Sequence, residues 1–135
     1  MEKHALNILI VDDNDVTAAL TCELMEIGGH TATCAFSATD ALRAVIAQAF
    51  DVALLDIGLP DRSEAELALQ LRKDYPRMAL IAITGFPLSD VQRAHRGMLL
   101  FDEGLQRPVE FDALETLLAQ IAQRRGKQPD GAQDP

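Results

Sequence analysis

The stretch Asp51 to Asp61, DVALLDIGLPD, decides how this chain folds. Four consecutive apolar residues, Val52 to Leu55, stand between two acids and are followed by the turn formers Gly58 and Pro60. A short unbroken apolar run bounded by turn residues predicts a strand buried on both faces. Asp56 then falls at the carboxyl end of that strand.

The same pattern recurs outward in both directions. Asn7 to Val11 (NILIV) predicts a first strand, closed by Asp12-Asp13. Asp15 to Ile27 has helical spacing, with Val16, Leu20, Leu24 and Ile27 on one stripe, and Gly28-Gly29 ends it. Thr31 to Phe36 predicts a second strand, and Ser37 caps a helix running to about Gln48. Beyond the central stretch, Ser63 to Glu66 reads as a capping box opening a helix to about Asp74, with Pro76 blocking its continuation. Met78 to Ile83 (MALIAI) predicts a fourth strand. A loop, Thr84 to Pro87, and a short helix, about Ser89 to Arg96, come next. A fifth strand is expected within Met98 to Gln106. Glu110 to Gln123 forms a last amphipathic helix with Phe111, Leu114, Leu117, Leu118 and Ile121 inward. Residues 1–123 are therefore expected to form one domain and residues 124–135, rich in Pro, Gly and Gln, a disordered polar tail. Five apolar strands alternating with helices predict an α/β fold with a five-stranded parallel sheet covered on both faces.

Composition narrows the function. The chain has 135 residues and is 48% hydrophobic, enough for one core, which must be aliphatic because Trp is absent and aromatics are 4%. A formal net charge of -9 argues against direct nucleic-acid binding, which requires a basic footprint. The first apolar run reaches Asp12 too early for a signal peptide or a membrane span, so a cytoplasmic protein is expected. The two cysteines, Cys22 and Cys34, lie in apolar segments without zinc spacing and are read as small buried hydrophobes. His4, His30 and His95 are scattered and have no ligand spacing, while Met25, Met78 and Met98 are expected in the core.

In open parallel sheets, ligands bind beyond the carboxyl ends of the strands. Those ends carry Asp12, Asp13, Asp56, Thr84 and Arg107. Each has a plainer reading alone: a helix cap, a turn residue, a strand terminator or a surface charge. Together they match one chemistry. Packed carboxylates repel and recruit a cation, and hard oxygen ligands with room for water suit Mg2+. A carboxylate beside that metal is a nucleophile toward phosphorus, and a hydroxyl and a fixed cation hold the phosphoryl oxygens.

These motifs resemble the receiver domains of bacterial two-component response regulators. VDDN (Val11 to Asn14), DVALLDIGLPD, AITGF (Ala82 to Phe86) and LQRPVEFDAL (Leu105 to Leu114) occur in the family's order, and the resemblance covers about residues 6 to 123. It implies a doubly wound, flavodoxin-like (βα)5 fold. It implies Asp56 as phosphoacceptor, Asp12, Asp13, Asp56 and the Gly58 carbonyl as Mg2+ ligands, and Thr84 and Arg107 as the phosphoryl-binding switch. The implied partners are a histidine kinase or histidine phosphotransfer protein and a downstream protein target, with no direct nucleic-acid or membrane contact; the last helix could also support a homodimer. The implied domain is a switch rather than an enzyme and catalyses at most its own phosphorylation and dephosphorylation.

Three positions depart from the family pattern. Arg107 replaces the usual Lys, Gly104 stands where an aromatic switch residue is common, and Glu64 stands where Gly is common. They motivate an alternative, a degenerate receiver acting as a constitutive interaction module. A metal-dependent phosphatase is disfavoured by Gly58, where such enzymes carry a second acid, and a nucleotide-binding fold by the lack of a glycine-rich loop after the first strand.

Overall fold

The computed structural model describes residues 5–56, 64–84, 101–106 and 109–127. Five strands, β1 (Asn7–Val11), β2 (Thr31–Ala35), β3 (Val52–Asp56), β4 (Ala79–Thr84) and β5 (Glu103–Gln106), form one sheet in the order β2-β1-β3-β4-β5. Every neighbouring pair is parallel. Four helices accompany them among the described residues: α1 (Asp15–Ile27), α2 (Ala38–Ala47), α3 (Glu64–Asp74) and α4 (Phe111–Lys127). The expected short helix at Ser89 to Arg96 and the Ser63 half of the capping box lie outside the described residues, as do His4, His95 and Met98.

The alternation of side chains along each strand divides the core in two. Leu9 and Val11 of β1, Ala53 and Leu55 of β3 and Leu80 of β4 pack with Ala41 and Val45 of α2 and with Leu67 and Leu71 of α3. Ile8 and Ile10, Val52 and Leu54, and Ile81 face the other way, against Ala18 and Met25 of α1 and Leu114, Leu118 and Ile121 of α4. The period of two continues beyond the apolar residues, so Asp12 and Asp56 fall on the α1/α4 side. Met25 and Met78 are core residues, as expected. His30 is held near the α1 end, where its Nδ1 accepts the Leu6 N–H at 3.1 Å.

Local sequence sets the helix ends. The Asn14 side chain accepts the Thr17 N–H at 3.0 Å and starts α1; Ser37 does the same for the Asp40 N–H at 3.1 Å and starts α2. At the far end of α1, the Gly29 N–H donates to Glu26 O and the His30 N–H to Met25 O, both at 3.0 Å. This paired closure requires the left-handed backbone of Gly29, φ 95°.

The structure adds one feature and corrects two expectations. The α1 stripe, for which the sequence names no covering surface, is turned away from the sheet: Val16 is 73% exposed, Leu20 56%, Leu24 36% and Ile27 72%. The inner face is instead Ala18 and Met25, both fully buried, with Cys22 partly buried between them. Second, α4 does not stop at Gln123 but continues to Lys127, so the first residues expected in the polar tail belong to the helix. Phe111, placed on the inner stripe, is 38% exposed. Third, Cys22 and Cys34 are half-buried and joined in a disulfide, with a Cα–Cα distance of 6.8 Å, rather than being two independent apolar residues.

The two apolar faces of the helical layer carry different energetic weight. Leu118→Ala, which empties a fully buried site, is expected to destabilise the fold by about 2–5 kcal/mol in urea denaturation. Ile27→Ala on the exposed stripe is expected to change stability by less than about 0.5 kcal/mol.

Candidate functional site

The chain leaves β1 to form β2 on one side and then returns to form β3 on the other. The crevice at the β1/β3 boundary is therefore the topological switch point, where bound groups approach the strand ends. Val11 is in register with Leu55, so Asp12 and Asp56 are the next residues along two adjacent strands. One carboxylate oxygen from each of Asp12, Asp13 and Asp56 lies within 4.8 Å of the others. Asp12 is 5% exposed and Asp56 8%, while Asp13 faces solvent. The site thus has a buried floor and one open side.

Backbone contacts fix this geometry. The Asp12 N–H donates to Ala35 O of β2 at 3.0 Å, extending the sheet one step past β1. Asp12 Oδ1 accepts the Asn14 N–H at 3.0 Å, closing a tight turn into α1. Asn14 therefore both caps the helix and orients the acid before it, a role the VDDN motif carries without announcing it. Asp56 ends the central strand, all of whose residues are buried.

A cleft of about 250 Å3 adjoins the acids between α1 and α4. Asp12 and Asp56 lie at its polar end, Leu54, Ile83 and Val109 along its wall, and Leu20, Leu24 and Phe111 at its margin. No lysine or arginine among the described residues lines it. Three anionic oxygens at such separations repel strongly at a low local dielectric, and a divalent cation would remove that cost. The donor set is all-oxygen, with one side open for water, which fits Mg2+.

Of the other site residues, Thr84 is the last residue of β4, one step beyond Ile83, which is in register with Asp56. The strand end is where the sequence places it; its side chain lies outside the described residues, as do Gly58 and Arg107. Gly104 lies within β5, in register with Ala82. Sequence reasoning found the α1 stripe but not which surface covers it. The missing signal was the inner face itself: Ala18, Met25 and the partly buried Cys22 already form a helical face of their own.

No described helix is long and apolar enough to cross a membrane. The family profile for the response regulator receiver domain matches residues 8–119. The sensor protein TorS of Escherichia coli is 31% identical over 119 residues, a match covering 87% of this chain but 13% of TorS. A CheY-like receiver domain from Methylobacillus flagellatus is 32% identical with a TM-score of 0.75, covering 87% of this chain and 98% of that one. The response regulator protein TrrA from Thermotoga maritima, solved in complex with Mg2+-BeF, is 25% identical with a TM-score of 0.76, covering 85% of this chain and 97% of that one. With the family profile spanning nearly all of the described fold, this chain belongs to the response regulator receiver domain family.

Proposed function

We propose that this chain accepts a phosphoryl group on Asp56, with Mg2+ held by Asp12, Asp13, Asp56 and the backbone carbonyl of Gly58. The observation that carries the reading is the convergence of three carboxylates at the switch point of a parallel sheet, two buried and one open to solvent. The Mg2+-BeF complex of the similar TrrA supports the metal assignment.

In this reading an Asp56 carboxylate oxygen attacks the phosphorus of a phosphohistidine. The new O–P bond makes an acyl phosphate as the N–P bond breaks, and the departing imidazole retains the N–P electron pair and takes up a proton. Bound Mg2+ would neutralise charge on the incoming phosphoryl oxygens. Thr84 and Arg107 would then hold those oxygens, the arginine keeping the charge of the family's usual lysine with a wider, planar donor. The domain acts as a switch, catalysing at most its own phosphorylation and dephosphorylation, in the cytoplasm.

The phosphodonor is a histidine kinase or a histidine phosphotransfer protein, in keeping with the similarity to the sensor protein TorS. Its docking face is the exposed set Val16, Leu20 and Leu24 of α1 with Phe111, of which Leu20, Leu24 and Phe111 line the cleft reaching Asp56. The exposed acids Asp15, Glu23 and Glu26 of the same helix, with Asp13 just before it, favour a partner with a basic rim.

Two measurements test this. Incubation with Mg2+ and acetyl phosphate is expected to add one phosphoryl group by intact mass to the parent and none to Asp56→Asn. A parent that stays unmodified with acetyl phosphate and with histidine kinases would instead indicate a constitutive interaction module. Val16→Glu is expected to slow transfer from a phosphohistidine donor about tenfold, about 1.4 kcal/mol, while acetyl phosphate modifies it at the parent rate.

A further inference from the structure

We propose that Cys22 and Cys34 are a reversible dithiol–disulfide pair whose oxidation clasps α1 to β2 and so orders the Asp12 turn. The bridge joins the middle of α1 to the fourth residue of β2, at a Cα–Cα distance that disulfides span. These are the chain's only two cysteines, so each has one internal partner.

The reduced state is also accommodated. Cys34 Sγ lies 3.3 Å from Ala18 O, one turn before Cys22 on the same helix, and a thiol there donates its proton to that carbonyl. Both residues are half-buried rather than sealed in the core. In a cytoplasm, where thiols are kept reduced, disulfides are characteristically transient or redox-sensing.

The position of the bridge explains what it would control. β2 is an edge strand whose sheet partner is β1. Cys34 is in register with Ile10, and the next residue, Ala35, supplies the carbonyl that holds the Asp12 N–H. The Asp12 carboxylate in turn accepts the N–H of Asn14, the cap of α1. Bridge, edge strand, acid and helix cap form one closed circuit. Oxidation restrains it at a second point, and reduction leaves it held by packing and hydrogen bonds alone.

The oxidant is a low-molecular-weight disulfide such as oxidised glutathione. One cysteine thiolate attacks it, forming a mixed disulfide and releasing one glutathione thiolate. The second cysteine thiolate displaces the other glutathione, giving the internal bridge. In balance, two protein thiols lose two electrons and two protons, and one glutathione disulfide becomes two glutathione thiols.

The functional consequence rests on the proposed phosphoryl chemistry: an ordered Asp12 turn pre-forms the metal site, so the oxidised domain takes up the phosphoryl group faster. The full chain is equilibrated across glutathione redox ratios, quenched by alkylation and weighed intact. Amide exchange and phosphoryl uptake from acetyl phosphate are then followed in the oxidised and reduced forms and in C22S/C34S. The expected result is a form lighter by two hydrogens that resists alkylation, with Asp12 and α1 amides exchanging about tenfold more slowly and phosphoryl uptake about threefold faster. The variant should match the reduced protein at every ratio. Absence of the internal bridge at all ratios, a persistent glutathione adduct in its place, or a bridge that leaves amide exchange unchanged overturns the clasp. A clasp seen by mass and exchange while neither form takes up phosphate supports this inference and contradicts the proposed function.

Discussion

Mutual repulsion among Asp12, Asp13 and Asp56 is the constraint on which the rest of the structure depends. Three carboxylates within 4.8 Å, two of them buried, are an unfavourable arrangement for a fold to hold without a cation. The surrounding structure supplies the force that keeps them there. The buried strand β3 delivers Asp56, and the register of β1 against β3 places Asp12 beside it. The Asp12 N–H is tied to β2, and its carboxylate is tied to the start of α1. Packing on both faces of the sheet thus offsets an electrostatic cost confined to one edge. That edge offers an all-oxygen donor set suited to a cation.

Helix α1 connects nearly every functional element. Its cap orients an acid, its inner face carries the cysteine that reaches β2, and its outer face displays the apolar stripe beside the cleft. The helix turns Ala18, Cys22 and Met25 to the sheet and leaves its other large apolar residues on another surface. The same orientation brings Cys22 within bonding range of Cys34. The site geometry and the exposed apolar stripe therefore belong to one element.

Much of the fold was legible because the strands announce themselves. β1 begins and ends where NILIV predicts, and Asp56 closes β3 because an apolar run meets an acid before turn residues. The acidic site followed from topology, since parallel strands put their carboxyl ends on one edge. The orientation of α1 was hidden because periodicity reports that a helix has an apolar stripe, not which surface covers it. Ala18 contributes almost nothing to a hydrophobic pattern yet decides which face fits the sheet. The cysteine pairing was hidden because it depends on the α1-to-β2 approach, which spacing along the chain does not encode. The end of α4 was misplaced because polar, charged residues that read as a tail also have good helix propensity.

The central claim is that the converging carboxylates form a cation site, and Mg2+ titration followed by calorimetry and backbone amide chemical shifts tests it most directly. The account predicts saturable binding of one ion, with shifts centred on Asp12, Asp13 and Asp56, and loss of both signals in Asp13→Asn while its thermal unfolding remains cooperative. Absence of saturable binding to the parent chain, or binding that persists unchanged in Asp13→Asn with shifts elsewhere, would contradict it.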